Sequence, residues 1–402
     1  MEQSHLQYKG NLLNRNIYCL YVIKIAHWFM LTMPVIVLFY YNNGLGTRHV
    51  FILQAIYSVS IVILEIPSGY IADIFGRRTT MIIGSVFGFF GFLAYSVMHG
   101  FWGFAIAEIF LGIGQSMISG ADSALLYDTL ILEGKRDKYL KLEGRMTSVG
   151  NFSEATAGIL GGLLATWSLR MPFYFQSFIA FGAIPATILL IEPKIHSHSQ
   201  LNKLDYFMKI VRFSLFENKL LRRNIYFSAV IGCATLTMAW FVQPYFKNIN
   251  VPVSIYGILW TVLNFSVGIT SLYAFKFDKK IGQMGTIWFI VLVIPMGYWL
   301  SGIFMGAWGL IFIFIFYLAR GIATPVLKEY INHITPSDMR ATVLSIRNFV
   351  IRFLFAIAGP ILGWLTDFYS LTQALVIAGT IFFLLASFTV FYYIRSIKTD
   401  QH

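Results

Sequence analysis

Cysteine is nearly absent: Cys19 and Cys233 are the only two in 402 residues, so no disulfide framework braces the chain. Both fall at or within apolar runs, where the expected role is that of a small buried hydrophobe and no redox function follows. Charge is scarce too. Asp, Glu, Lys and Arg make up 12% of the sequence, about half the share of an ordinary soluble domain. Acidic residues are the scarcer sign, 18 against 30 basic ones, for a formal net charge of +12. That excess is concentrated in certain loops, so it is read as a marker of membrane topology and no nucleic-acid partner is expected. No phosphate-binding glycine loop, zinc-type ligand cluster or nucleophile arrangement is visible in the sequence. Neither ATP-driven transport nor metal chemistry is supported, no cofactor is expected, and the chain does not read as an enzyme. The amino terminus also lacks the basic segment, short apolar core and small-residue cleavage site of a secretory leader, so residue 1 is expected to belong to the mature chain.

What the chain has in abundance is apolar length. Hydrophobic residues are 57% of it, far more than a soluble core of this size needs. A helix needs about 20 residues to cross roughly 30 Å of hydrocarbon. Stretches of that length fall roughly at 16–41, 50–72, 79–98, 102–131, 142–168 and 172–191, then at 224–247, 254–275, 285–304, 307–332, 341–367 and 371–395. Long unbroken runs such as Met81 to Met98 exclude a barrel of short alternating strands. The fold class is therefore an all-α membrane protein, with twelve transmembrane helices in two pseudo-symmetric six-helix bundles. Residues 1–191 form the first bundle and 223–402 the second, and 192–222 form a polar central connection. Within that connection Leu204, Phe207, Ile210 and Val211 repeat at helical spacing beside basic residues, the pattern of a short amphipathic helix on a membrane surface or of a solvated connector with some helix.

Basic residues set the orientation. Arg77 and Arg78, then Lys135, Arg136 and Lys138, then Lys276, Lys279 and Lys280, and finally Arg395 and Lys398 follow even-numbered spans, whereas the opposite loops carry little more than Arg48, Arg170 and Lys247. Both termini and the central connection are therefore expected on the cytoplasmic side. The halves also echo one another: Ala157-Gly158-Ile-Leu-Gly161 returns as Ala358-Gly359-Pro-Ile-Leu-Gly363 about 200 residues later, each preceded by an arginine, Arg145 and Arg340. Duplication of a six-span unit is the usual construction of transporters that rock two bundles about a central site.

After the second span the chain reads Gly69-Tyr-Ile-Ala-Asp73-Ile-Phe-Gly76-Arg77-Arg78-Thr79-Thr80. Gly69 permits close helix approach, Gly76 a tight reversal, and Asp73 can cap or pair at a helix end. This run resembles the signature of the major facilitator superfamily, Gly-x-x-x-Asp-x-x-Gly-Arg-Lys/Arg, and with the span count and the related halves the resemblance covers essentially the whole chain. The resemblance implies that Gly69, Asp73, Gly76, Arg77 and Arg78 form a gating motif; Asp128, near the cytoplasmic end of its span, is expected to pair with Arg77, Arg78 or Arg145 as part of the gate. The stretch Gly120 to Asp128 also looks like bacterial exporters and permeases of that superfamily. Two departures stand out: Glu108-Ile-Phe-Leu-Gly112 occupies the place where the family often carries Arg-x-x-x-Gly, and the antiporter signature of the fifth helix survives only as Ala157-Gly158-Ile-Leu-Gly161-Gly162.

An ionised side chain at the bilayer centre costs roughly 3 kcal/mol or more, so each one deep in a span needs a partner, a wet cavity or a function. Glu154, Arg320 and Arg352 come near mid-depth; Lys24, His27 and Asp122 lie within a few turns of it. Glu154 reads either as a proton carrier or as half of a permanent ion pair with Arg320 or Arg352. Those two arginines suit structural pairing first, and alternatively the holding of an anionic substrate group. Asp122 is a second candidate proton site or a hydrated acid, and His27 a relay or a satisfied interior group. Lys24 and Trp240 are candidate substrate contacts, with Tyr245, Trp260 and Tyr273 as candidate walls. The functional expectation is a monomeric secondary transporter of a small organic molecule in a bacterial inner membrane, exporting by proton coupling. An importer of an anionic nutrient or metabolite, and a non-transporting sensor or assembly partner, are the alternatives.

Overall fold

A peptide group left unpaired in hydrocarbon is costly, and a helix satisfies every one within its own segment. Helix is accordingly almost all that this chain builds, and no strand occurs among the described residues. A computed structural model describes residues 2–135, 138–193, 203–336 and 339–399. In chain order the helices are α1 (Glu2–Trp28), α2 (Ile36–Asn42), α3 (Thr47–Phe75), α4 (Arg77–Val97), α5 (Gly100–Ile118), α6 (Ala121–Leu132), α7 (Tyr139–Trp167) and α8 (Met171–Ile188). There follow α9 (Lys203–Arg212), a π-helical turn (Phe213–Glu217), α10 (Lys219–Asn248), α11 (Val253–Ile303), α12 (Ala307–Ile334), α13 (Arg340–Phe368) and α14 (Leu371–Thr399).

Among the described residues nine helices are long and apolar enough to cross a membrane, fewer than the twelve spans expected. One reason is that α11 runs through two expected spans in 51 residues, turning at Gly282 with φ 80° and ψ 162°. A second is composition: α1 and α7 carry polar residues along their length, among them Asn16, Lys24 and His27 in α1 and Glu143, Arg145 and Glu154 in α7. The first expected span is also broken. Its helix stops at Trp28 and restarts at Ile36, with turns over 31–35 around Pro34, which has no N–H to continue a helix. The backbone freed there is not wasted, since Leu31 N–H donates to Gln176 Oε1 at 2.8 Å. The fourth expected span breaks likewise at Gly120, whose φ of 83° separates α5 from α6.

The chain forms two compact units. The first comprises Met1–Leu45, Ile56–His198 and Pro252–Thr261. Its interior holds Leu20, Ile23, Met81, Leu125, Leu126 and Leu190, with a separate aromatic cluster of Phe39, Tyr40, Tyr95, Phe104 and Phe173. Also in this unit, α7 presents glycines where other backbone comes close: a Cβ on Gly162 would lie 2.9 Å from the Cα of Gly257. The second unit comprises Gly46–Ala55, Ser199–Val251 and Val262–His402. There α9, from the central connection, docks through Ile210 against Leu221, Ile225, Ile331, Val343 and Ile346. Lys203–Arg212 is helical, and Ile210 is buried in protein. Asn218 starts α10 by accepting from Leu221 N–H at 2.9 Å. Cys19 and Cys233 are both buried free thiols.

Candidate functional site

Along α1, positions 20, 23, 24 and 27 fall on one face at the i, i+3, i+4, i+7 spacing. That face lines a small pocket of the first unit with Leu20, Ile23, Lys24 and His27, closed by Ile118, Asp122 and Met146. The break at Gly120 places Asp122 in the first turn of α6, where unpaired N–H groups and the helix dipole favour a carboxylate. Asp122 Oδ1 accepts from Ser123 N–H at 2.8 Å, and Oδ2 meets Lys24 Nζ at 3.0 Å. Both side chains of the pair are less than a fifth exposed, at 18% and 17%. His27 Nε2 and Gln115 Oε1 are hydrogen-bonded at 2.5 Å. Beyond Asp122, Ser123 donates to Glu143 Oε1 at 2.8 Å, continuing the polar network into α7. Of the residues singled out in the sequence, this pocket unites Lys24, His27 and Asp122. A lysine–carboxylate pair in an apolar-lined recess can exchange its partner for a proton or for a charged group of a ligand.

A second constellation surrounds the signature loop. Gly76 has φ 90°, a conformation that favours glycine, and a Cβ there would lie 3.0–3.1 Å from the carboxylate of Glu192. Through that gap Glu192 reaches the start of α4, accepting from Arg77 N–H at 2.9 Å and from Arg78 N–H at 2.6 Å. The Arg77 guanidinium pairs with Asp128, and Arg78 Nη2 donates to the carbonyl of Ile188 at 2.7 Å. Asp128 has three candidate arginines, and the described contacts pair it with Arg77. Gly69 and Asp73 are both in α3, and their surroundings lie outside what the structure describes. Glu192→Ala is expected to leave two helix-start N–H groups without their acceptor and to lower stability by about 1–2 kcal/mol. Thermal unfolding in detergent checks this, and an unchanged midpoint would show that Glu192 does not anchor the loop.

The second unit repeats the device at the start of α3. Asp367 Oδ1 and Oδ2 accept from Thr47 N–H at 2.8 Å and Arg48 N–H at 2.7 Å, beside Gly46, whose added Cβ would lie 2.6 Å from Oδ2. Neither capping acid was singled out in the sequence, because each comes from a distant segment. Two more buried groups were missed as site residues. Glu108, 3% exposed, receives the hydroxyls of Tyr40 at 2.9 Å and Tyr95 at 2.6 Å. Arg347, 5% exposed, contacts Ser228 and Asn348. The sequence did flag Glu108 through its sign, opposite to that of the family's arginine.

The remaining candidates are placed individually. Glu154 is half-buried on α7 in the first unit; Arg320 on α12 and Arg352 on α13 are half-buried in the second. The Arg320 guanidinium carbon sits 5.4 Å from the Tyr317 ring centroid, within cation–π range. Trp240 is buried on α10. No group of His, Cys, Asp and Glu able to hold a metal occurs among the described residues.

The chain is 22% identical over 274 residues to an MFS-type transporter of Methanocaldococcus jannaschii, covering 66% of this chain and 68% of that one. It is 26% identical over 196 residues to the quinolone resistance protein NorA of Staphylococcus aureus, covering 48% of this chain and about half of that relative, 50%. Among solved structures, the D323A mutant of the nucleoside transporter NupG superposes with a TM-score of 0.80 at 12% identity, covering 95% of this chain and 100% of that one. The D-xylose-proton symporter gives 0.70 at 14% identity, with 95% and 97% covered. At these identities the superpositions speak for the fold alone. The family model described as Major Facilitator Superfamily matches residues 18–354, most of the sequence, and the chain belongs to that superfamily of membrane transporters.

Proposed function

We propose that the protein is a secondary active exporter of a small organic molecule, driven by protons through a carboxyl in the first unit. The observation that carries this reading is the Lys24–Asp122 pair in its apolar pocket, with His27 one turn from Lys24. A proton arriving at Asp122 would discharge the pair, leave Lys24 without its counter-ion, and bias the pocket between two arrangements, which is what coupling requires. Glu154 serves as a second carrier on α7. The likeness to a quinolone resistance protein over half its length supports outward movement, because a transporter protects a cell from a drug by removing it. Alternating access uses bundles at 1–191 and 223–402, gated by the loop of Gly76, Arg77 and Arg78 with Asp128 and by Gly69 and Asp73. Both termini are cytoplasmic, the membrane is a bacterial inner membrane, and the monomer suffices. Import of an anionic metabolite held by Arg320 and Arg352 is the second reading, favoured by the half-buried placement of both guanidinium groups.

Proteoliposomes carrying a pH indicator, challenged with organic cations, anions and neutral compounds, test the proposal. Wild-type protein is expected to move protons when its substrate is added, and Asp122→Asn to reduce that movement to background while leaving substrate binding measurable. Proton movement that persists in both Asp122→Asn and Glu154→Gln would remove these carboxyls from the coupling path.

A further inference from the structure

Lys24 and Arg77 each meet a carboxylate, Asp122 and Asp128. Arg347 does not. It lies two turns inside α13, retains 5% of its exposure, and is surrounded by uncharged partners. Its Nε donates to Ser228 Oγ of α10, and its Nη1 donates to Asn348 Oδ1 at 3.1 Å. A second cation, Lys328 of α12, lies within electrostatic reach of Arg347 and opposes it. Lys328 and its neighbour Glu329 are both exposed residues of α12, and among the described residues neither Lys328 nor Arg347 forms an ion pair with Glu329 or with any other acid.

A guanidinium has five N–H donors in a planar fork, and among the described residues the two neutral contacts engage only Nε and one Nη1 hydrogen. Holding it in a membrane span beside a second cation is unfavourable unless an anion completes the site. We propose that Arg347 and Lys328 form an anion-binding site in the second unit, taking a carboxylate or phosphate group, with Ser228 and Asn348 fixing the guanidinium plane. The fork of Arg347 supplies a two-pronged contact and Lys328 a point charge, the usual division of labour between these side chains. The site rests on the transporter reading for its purpose, and it gives the transported compound an acidic group. An anionic lipid headgroup offers the same chemistry.

The test is thermal unfolding of the purified full chain with inorganic phosphate, sulfate or citrate against chloride at equal ionic strength. It is repeated in nanodiscs of phosphatidylcholine alone and of phosphatidylcholine with phosphatidylglycerol. Wild type is expected to be stabilised by at least one of these anions. The stabilisation is expected to vanish in Arg347→Gln and to shrink in Lys328→Gln, while Arg347→Gln without anion melts no lower than wild type, since an uncompensated buried charge has gone. Stabilisation confined to phosphatidylglycerol discs and lost in Arg347→Gln assigns the anion to lipid; stabilisation by soluble anions in phosphatidylcholine discs assigns it to solute. A shift that persists in both variants, or no shift with any anion or lipid, overturns the site. If Arg347→Gln does not fold, Lys328→Gln and Ser228→Ala carry the same comparison. Because binding is read without transport, an anion shift in a protein that moves nothing across proteoliposomes would count against the transporter reading and leave the site standing.

Discussion

Gly161→Ala is expected to cost the protein most or all of its folded yield. A Cβ at that position would sit 1.9 Å from the carbonyl oxygen of Leu31, 2.8 Å from its carbonyl carbon and 3.1 Å from its Cα. All three are backbone atoms, so no rotamer change relieves the clash. Leu31 is also tethered, because its N–H is bonded to Gln176 in the turns that interrupt the helix between α1 and α2. Moving it breaks a hydrogen bond in a place where little replaces it. Overpacking against a yielding side chain costs roughly 1–3 kcal/mol; against tethered backbone the cost is expected at or above about 3 kcal/mol, a large part of the 5–15 kcal/mol that holds a typical domain together. Gly158→Ala is the graded comparison, since its Cβ first meets Thr261 Oγ1 at 2.7 Å, a side-chain atom that can turn away. Gly182→Ala is the control: it lies in α8 with nothing within 4 Å, so alanine should be neutral or stabilise the helix by about 0.5–1 kcal/mol. Monodisperse yield and melting temperature in detergent should therefore rank Gly182→Ala above Gly158→Ala above Gly161→Ala. A Gly161→Ala protein that melts with wild type would show that α7 and the Leu31 turn do not approach so closely.

That clash illustrates which levels of structure the sequence carried. Apolar length was enough to read helices, because a span must be about 20 apolar residues whatever it packs against. The periodicity of Leu204, Phe207, Ile210 and Val211 was enough to read α9. The interruptions were not legible, since Pro34 and Gly120 are both residues that membrane helices often tolerate, and only neighbours such as Gln176 make a break stable. At the signature loop the local parts were readable: a glycine where the chain must turn, and arginines that need an acid. Asp128 is among the acids expected to meet them, and the structure pairs it with Arg77. Glu192 was not foreseen, although it holds the start of α4, because 115 residues separate it from Arg77 and nothing in a run ending Glu192-Pro193 points to a distant helix. The same holds for Asp367 at α3 and for the uncharged surroundings of Arg347. Sequence gives the chemistry a buried charge requires; only the fold says whether that requirement is met.

Glu108 is the case where the requirement is met by counting protons. Three oxygens, Glu108 Oε1 and the hydroxyls of Tyr40 and Tyr95, lie 2.9, 2.6 and 2.6 Å apart in a closed triangle. Each contact is of hydrogen-bond length and each needs one proton. An ionised carboxylate leaves two protons, one per phenol, for three contacts; a neutral carboxyl supplies the third and closes the ring. Phe39, Phe104 and Phe173 pack against the tyrosine rings, and Arg170 sits over the Phe39 ring with donors engaged by Ser96, Met98 and Asn43. An infrared band of a protonated carboxyl is therefore expected in wild type and absent in Glu108→Gln. The stability series follows from the same count. Glutamine keeps the volume and an acceptor for one or both phenols but cannot close the ring, so Glu108→Gln should cost about 1 kcal/mol. Alanine removes the acceptor from two buried hydroxyls and opens a cavity, so Glu108→Ala should cost about 3–5 kcal/mol. If the infrared band is missing from wild type, the carboxyl is ionised and a cation must balance it. If glutamine and alanine cost the same, the triangle is not what holds α2, α4 and α5 together.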